Sequence, residues 1–165
     1  IAIGSTVICR YNAPLIHTAM DLLQRGIRVD VAGVDIGAKI IRLLSKLGDE
    51  SLTQSATLSA IDDWQSERES LDSKTAADTA ECMKVFARHG RTLAQAIAYA
   101  KHIFEATSGE IQFMSGHRSK GLEFDRVYHL DSETIRPGGQ EDNIRYVIDT
   151  RTKDTLIYIS SDRRH

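Results

Sequence analysis

The spacing of hydrophobic positions along this chain changes several times, and each change marks an element. Ser5–Arg10 (STVICR) is a short, largely apolar and β-branched run, the pattern of a buried strand. After Tyr11-Asn12-Ala13-Pro14 the period lengthens. Leu15, Ile16, Ala19, Leu22 and Leu23 recur at helical spacing, with Pro14 suited to the first turn, Asn12 or Ala13 near the cap, and Gly26 as the stop. Ile27–Ala32 (IRVDVA) alternates as a second strand, and Ile36, Ile40, Ile41, Leu43, Leu44 and Leu47 form the stripe of a helix over 36–47. From Gly48 to Thr107 the chain is rich in Ser, Thr, Ala, Glu and Asp and shows no convincing strand. Three helices are expected there, at about 56–71, 74–89 and 92–106, broken near Asp72-Ser73 and His89-Gly90. Thr92 with Gln95 resembles a capping box, and Trp64, Phe86 and Phe104 are the expected packing anchors. Strand pattern resumes at Glu110–Met114 and Arg126–Asp131. A polar loop (Ser132–Gly139), a short helix (Glu141–Asp149) and a final strand (Thr155–Ser160) complete the chain, with a tail at Asp162–His165 expected to fray.

Strand–helix alternation on both sides of a helical segment predicts an α/β fold: a mostly parallel sheet flanked by helices, with an all-helical insertion. The expected division is 1–47 with 108–165 for the α/β part, and 48–107 for the insertion.

Composition narrows this only a little. A chain of 165 residues supports one complete core, and 41% apolar with 27% charged residues is ordinary for a globular protein. A net charge of −2 gives no global basic signature, so any nucleic-acid contact has to come from a local patch. Cys9 and Cys82 have no metal-like spacing, which points to a reduced, cytoplasmic setting. No apolar run approaches the roughly 20 residues of a membrane-spanning helix. The first residue is Ile1 and a strand follows almost at once, so the chain is expected to be cut from something larger.

Candidate chemistry concentrates at the ends of the expected strands, where α/β sheets bind ligands. Arg10 and Asn12 follow the first strand. SGHRSKGLEF, from Ser115 to Phe124, gathers a histidine, an arginine, a lysine, a glycine and a glutamate between two buried strands. The helix at 141–151 ends in Tyr146-Val147-Ile148-Asp149-Thr150-Arg151. Two arginines from separate elements can clamp a phosphate through planar forked donors, and a glutamate can accept from a sugar hydroxyl. No Gly-rich Lys-Ser/Thr phosphate loop and no acidic metal pair at a strand end is present, so this is half of a nucleotide site.

SGHRSKGLEFDRV resembles motif V of superfamily-1 DNA helicases of the UvrD/Rep/PcrA type, T-x-H-x-[SA]-K-G-L-E-[FWY]-[DPK]-x-V. QEDNIRYVIDTRTKDTLIYI resembles their motif VI, and STVICRYNAPL is similar to motif IV; the three occur in the family's order over about 100 of the 165 residues. The resemblance implies the second RecA-like motor domain, belonging to the P-loop NTPase-like folds, with 48–107 as a reduced form of the family's inserted subdomain. It also implies that ATP with Mg²⁺ is held by an N-terminal RecA-like domain outside this chain, and that the motor moves 3′ to 5′ on single-stranded DNA. Carried over by residue, Arg10 and Arg151 reach the γ-phosphate, with Arg151 as the arginine-finger-like group. Glu123 binds the ribose, and Gly121 keeps the backbone close to the nucleotide. Ser115, His117 and Lys120 couple nucleotide to DNA, while Tyr146 and Thr150 brace the motif VI helix. No metal ligand is assigned within the chain.

Four positions depart from the family pattern. Ser115 stands for threonine, Gly116 for an apolar residue, Asp149 for a small or apolar one and Thr152 for alanine; Asp149 is placed to pair with Arg151. Plainer roles stand beside these: Arg10 as a surface arginine, His117 as a cap of its turn, Lys120 and Arg118 as solvated side chains, Glu123 and Arg151 as a structural ion pair. His17, His89, His102, His129 and His165 lack ligand spacing, and Tyr99, Tyr128 and Tyr158 suit a core or sheet. The alternative function is a non-catalytic RecA-like domain that docks a protein partner through its helical insert.

Overall fold

A computed structural model describes residues 1–33, 36–105, 108–136 and 138–161 of the chain. Contacts divide it into two compact units, Ile1–Asp35 with Ala106–His165, and Ile36–Glu105.

The first unit is built on a five-stranded, all-parallel sheet: β1 (Thr6–Cys9), β2 (Val29–Gly33), β3 (Ile111–Ser115), β4 (Phe124–Leu130) and β5 (Thr152–Ile159), in the order β2-β3-β1-β4-β5. The fold is α/β, as expected. All four residues of β1 are buried, because the central strand of a parallel sheet is covered on both faces. Helix α1 (Asn12–Gln24) carries the chain from β1 to β2 and packs beside β1, β2 and β3. It ends in a Schellman turn: Gly26 adopts φ +77°, its N–H donates to the Leu23 carbonyl at 2.9 Å, and the Ile27 N–H donates to the Leu22 carbonyl at 3.0 Å. Its N-cap is Tyr11, one residue before the expected cap, with no side-chain capping bond.

Alternation along β1 sends Ile8 to the opposite face from Val7 and Cys9. There it joins Met114, Val127, Ile135, Ile144 and Ile148 in a second core layer, the last two from α6 (Gln140–Asp149). Ile148 is fully buried at its centre. Ile148→Ala should destabilise the fold by about 2–5 kcal/mol through lost transfer energy and the cavity left behind. Chemical denaturation checks this, with the midpoint falling at an unchanged slope.

The second unit is helical: α2 (Gly37–Leu44), α3 (Gln54–Ser66), α4 (Glu69–His89) and α5 (Leu93–Glu105). Two expectations change here. The helix after β2 belongs to this unit rather than to the α/β part, because its buried side, Gly37, Ile40 and Leu44, packs within the helical group. A Cβ on Gly37 would sit 2.7 Å from the Phe104 ring, so this contact requires glycine. The break expected at Asp72-Ser73 is also absent: α4 runs through it, and the interruption falls at Glu67-Arg68. Asp and Ser only weakly disfavour a helix interior, and the apolar face of α4 (Ala76, Ala80, Met83, Phe86, Ala87) outweighs that preference. Phe86 is fully buried, 5.4 Å from the Phe104 ring. Trp64, half-buried, stacks under the Arg68 guanidinium at 4.6 Å.

Thr92 Oγ1 accepts from the Gln95 N–H at 3.3 Å, half of the expected capping box; the Gln95 side chain reaches one residue further back, to the Arg91 N–H at 2.8 Å. Gln54 closes the far end of α4 by donating to the carbonyls of Ala87, Arg88 and Gly90 at 2.9–3.2 Å. The tail at 162–165 lies outside the described residues.

Candidate functional site

Strand order decides where ligands can collect. From β1 the chain leaves toward β2, and from β4 it leaves toward β5, on the other side of the sheet. Neighbouring strands β1 and β4 therefore send their connections apart, which opens a crevice at their carboxyl ends. A cleft of about 360 Å³ lies there, lined by Arg10, His117, Lys120, Glu141, Asn143, Ile144 and Val147. Arg10 comes directly after β1, His117 and Lys120 from the turn after β3, and the rest from α6. The Arg10 guanidinium donates to Glu141 Oε1 at 3.4 Å and lies 5.2 Å from the Tyr11 ring centroid. Arg10 and Lys120 line the cleft with one carboxylate, Glu141, at the end of the sheet where the positive pole of α6 also lies. The cleft is suited to an anion.

The turn that carries His117 and Lys120 is firmly built. Ser115 is buried and its Oγ accepts from the Arg118 N–H at 3.2 Å; Ser119, fully buried, donates to the Gly116 carbonyl at 2.8 Å. Ser115 is thus spent on holding the turn. Gly116 tightens it: a Cβ there would lie 2.9 Å from Ile148 Cδ1 and 3.2 Å from Ile144 Cγ1. Glycine here lets the turn press onto α6.

From Gly116 the chain passes in a few residues to the amino end of β4, so one motif straddles both ends of the sheet. Glu123 emerges at the amino end, where its carboxylate lies 3.9 Å from Lys153 Nζ, both side chains more than half exposed. It lines a separate cleft of about 340 Å³ with Gly4, Thr6, Glu110 and Asp125. Gly121 adopts φ +79° with nothing within 4 Å of a Cβ position, so conformation and not close approach calls for glycine within this chain.

Arg151 sits between α6 and β5. Its Nε donates to the Val147 carbonyl at 2.9 Å, Nη1 to the Leu122 carbonyl at 3.2 Å and Nη2 to Thr150 Oγ1 at 3.1 Å. It does not line the Arg10 cleft. Arg10 is held at the first turn of α6 and Arg151 at its last. Between their partners Glu141 and Val147 the helix rises about 9 Å. Arg151 instead shares the amino end of the sheet with Glu123 and pairs with neutral oxygens.

A further expectation is corrected. Asp149 does not pair with Arg151. Its Oδ1 meets His129 Nδ1 at 2.7 Å, and its Oδ2 accepts from the Tyr158 hydroxyl at 3.1 Å and lies 4.0 Å from Arg145 Nε. The Tyr146 side chain is 71% exposed, whereas Thr150 braces the helix end by donating to the Tyr146 carbonyl at 2.8 Å. His129 was not singled out by the sequence. Its only signal is its place on the α6-facing side of β4, two residues after Val127.

Burial holds the His129 imidazolium below its usual 6.5, with Asp149 pulling the other way. Among the described residues there is no group of three or more His, Cys, Asp or Glu arranged to hold a metal, and no helix is long and apolar enough to cross a membrane. No protein-family model matches the chain, and no curated protein does.

Proposed function

We propose that this chain is the second RecA-like motor domain of an ATP-driven helicase or translocase that moves on single-stranded DNA. It works with an N-terminal RecA-like domain that holds ATP and Mg²⁺. The observation that carries this is the separation of cationic groups to the two ends of one parallel sheet, each set lying in a motif of the resembled family. At the amino end, Arg151 and Glu123 form the nucleotide-facing set: Glu123 accepts from the ribose, and Arg151 meets the charge that builds up on the γ-phosphate. At the carboxyl end, Arg10, Lys120 and His117 form a cleft for a DNA phosphate. Arg10 moves in this reading from the γ-phosphate to the DNA side, because it shares its cleft with the motif V turn. Motif V joins the two ends through one short, well-braced segment, which gives nucleotide state a direct route to the DNA cleft.

The 165-residue sequence has no Gly-rich Lys-Ser/Thr phosphate loop, and no group among the described residues is arranged to hold a metal, so the chain alone should neither turn over ATP nor bind it tightly. Phosphate release by the pure chain, with single-stranded DNA present, is the check; measurable turnover contradicts the reading. In the longer protein, Arg10→Ala should weaken single-stranded DNA binding and lower the salt dependence of log K by about 0.7, one phosphate contact on a single strand. Unchanged DNA affinity and salt slope would contradict the placement of Arg10.

A further inference from the structure

Buried His129, partly buried Asp149 and half-exposed Tyr158 make a polar cluster that neither cleft uses. His129 lies on β4 and is fully buried; Tyr158 is its register partner on β5, with ring centroids 5.7 Å apart; Asp149 is the last residue of α6. Asp149 thereby ties the end of a helix to two neighbouring strands. The chain then makes one turn, through Thr150 to Arg151, before β5 begins. Arg151 is bound on both sides of that turn: its N–H donates to the Ile148 carbonyl at 3.0 Å, its Nε to Val147, and its own carbonyl accepts from the Phe124 N–H at 2.8 Å.

We propose that Asp149, clasped by His129 and Tyr158, is a positioning residue that fixes the end of α6 and so sets where the Arg151 guanidinium points. The inference rests on the proposed motor function only for what Arg151 then does. The resembled motif carries a small or apolar residue at this position, so the clasp belongs to this chain.

The protonation chemistry follows from the geometry. With His129 neutral, Nδ1–H donates to the carboxylate and Nε2, buried without a hydrogen-bond partner, carries no proton. Protonation would put a second N–H into that apolar site with no acceptor, a costly change. The charged or titratable groups facing the ring are Asp149 and Arg145 from α6, Tyr158 from β5 and Glu133 from the turn after β4. Because the folded His129 holds its proton less tightly than the unfolded one, its contribution is fully present above pH 6.5 and is lost as pH falls through the folded value.

The test uses nitrogen-15 NMR on the protein from about pH 5 to about pH 8, the window of histidine titration. His129 should show the Nδ1–H tautomer and titrate below 6.5, and the Arg151 Nε–H should exchange slowly. Asp149→Asn should lower the His129 midpoint further and speed Arg151 Nε–H exchange by roughly fivefold or more. Tyr158→Phe removes only a hydroxyl at a half-exposed site and should shift Arg151 exchange in the same direction by less. It decides the matter if Asp149→Asn does not fold. Arg151 exchange unchanged in the folded variant overturns the positioning role. ATP turnover of the longer protein separates the two ideas. If Asp149→Asn releases the Arg151 Nε–H while Arg151→Ala keeps full turnover, the clasp stands and the motor reading falls. If Arg151→Ala loses turnover while Asp149→Asn leaves both kcat and Arg151 exchange unchanged, the clasp falls alone.

Discussion

Under the proposed motor function, Arg151→Ala in a protein that joins this chain to its N-terminal partner domain should cut DNA-stimulated ATP turnover by about three orders of magnitude, with the KM for ATP little changed. A cation that meets charge developing on the transferred phosphoryl group stabilises the transition state more than the bound substrate, so its loss appears in kcat. The present geometry is compatible with that use. The three acceptors around the guanidinium are two backbone carbonyls and one hydroxyl, all neutral. A phosphate offers a stronger, charge-assisted bidentate partner and can displace two of them. Lysine at this position restores the charge without the planar fork and should recover only part of the rate. Steady-state phosphate release measures all three proteins. Arg118→Ala, at an exposed residue of the turn after β3 that lines neither cleft, serves as the control and should leave kcat unchanged.

Gly109→Ala should cost about 3 kcal/mol or more in folding stability. A Cβ at this position would lie 2.0 Å from the Val29 carbonyl carbon and 2.1 Å from the Asp30 nitrogen. Both are backbone atoms of β2, so no side-chain rotation relieves the clash. Either β2 moves off β3, breaking the Glu110 N–H bond to the Arg28 carbonyl at 2.9 Å, or the start of β3 strains. Gly121→Ala is the comparison, with open space around it and only its φ of +79° to resist the change. That cost is about 1–2 kcal/mol. Chemical denaturation of both variants gives the order; a smaller loss at Gly109 than at Gly121 would contradict the packing at the sheet edge.

What the sequence made legible is what depends on neighbours along the chain. β1 announces itself because burial on both faces leaves an unbroken apolar run. The end of α1 follows from Gly26, since only a residue at ease with positive φ closes that turn. The helix at Glu141–Asp149 and a mostly parallel sheet were also readable, from helical spacing and from strand–helix alternation. Features that depend on where crossovers deliver residues were not. Arg10 and Arg151 looked like one clamp because both lie beside strand ends in the sequence. A strand has two ends, and Arg151 precedes β5 while Arg10 follows β1. The SGHRSKGLEF segment hid the same division, running from one end of the sheet to the other between Ser115 and Phe124. The Asp149–His129 bond joins residues 20 apart through the packing of α6 on β4, which no local period encodes. The grouping of α2 with the other helices turned on a contact between Gly37 and Phe104, equally remote in sequence.

The central claim is that the two ends of this sheet do different work, nucleotide at one and DNA at the other. ATP turnover of the longer protein, titrated with single-stranded DNA at saturating ATP, tests it most directly when wild type, Arg10→Ala and Arg151→Ala are compared. Arg151→Ala should depress the plateau by about a thousandfold while leaving the half-saturating DNA concentration in place. Arg10→Ala should move that concentration upward and spare much of the plateau. Wild-type curves from both variants would contradict the account.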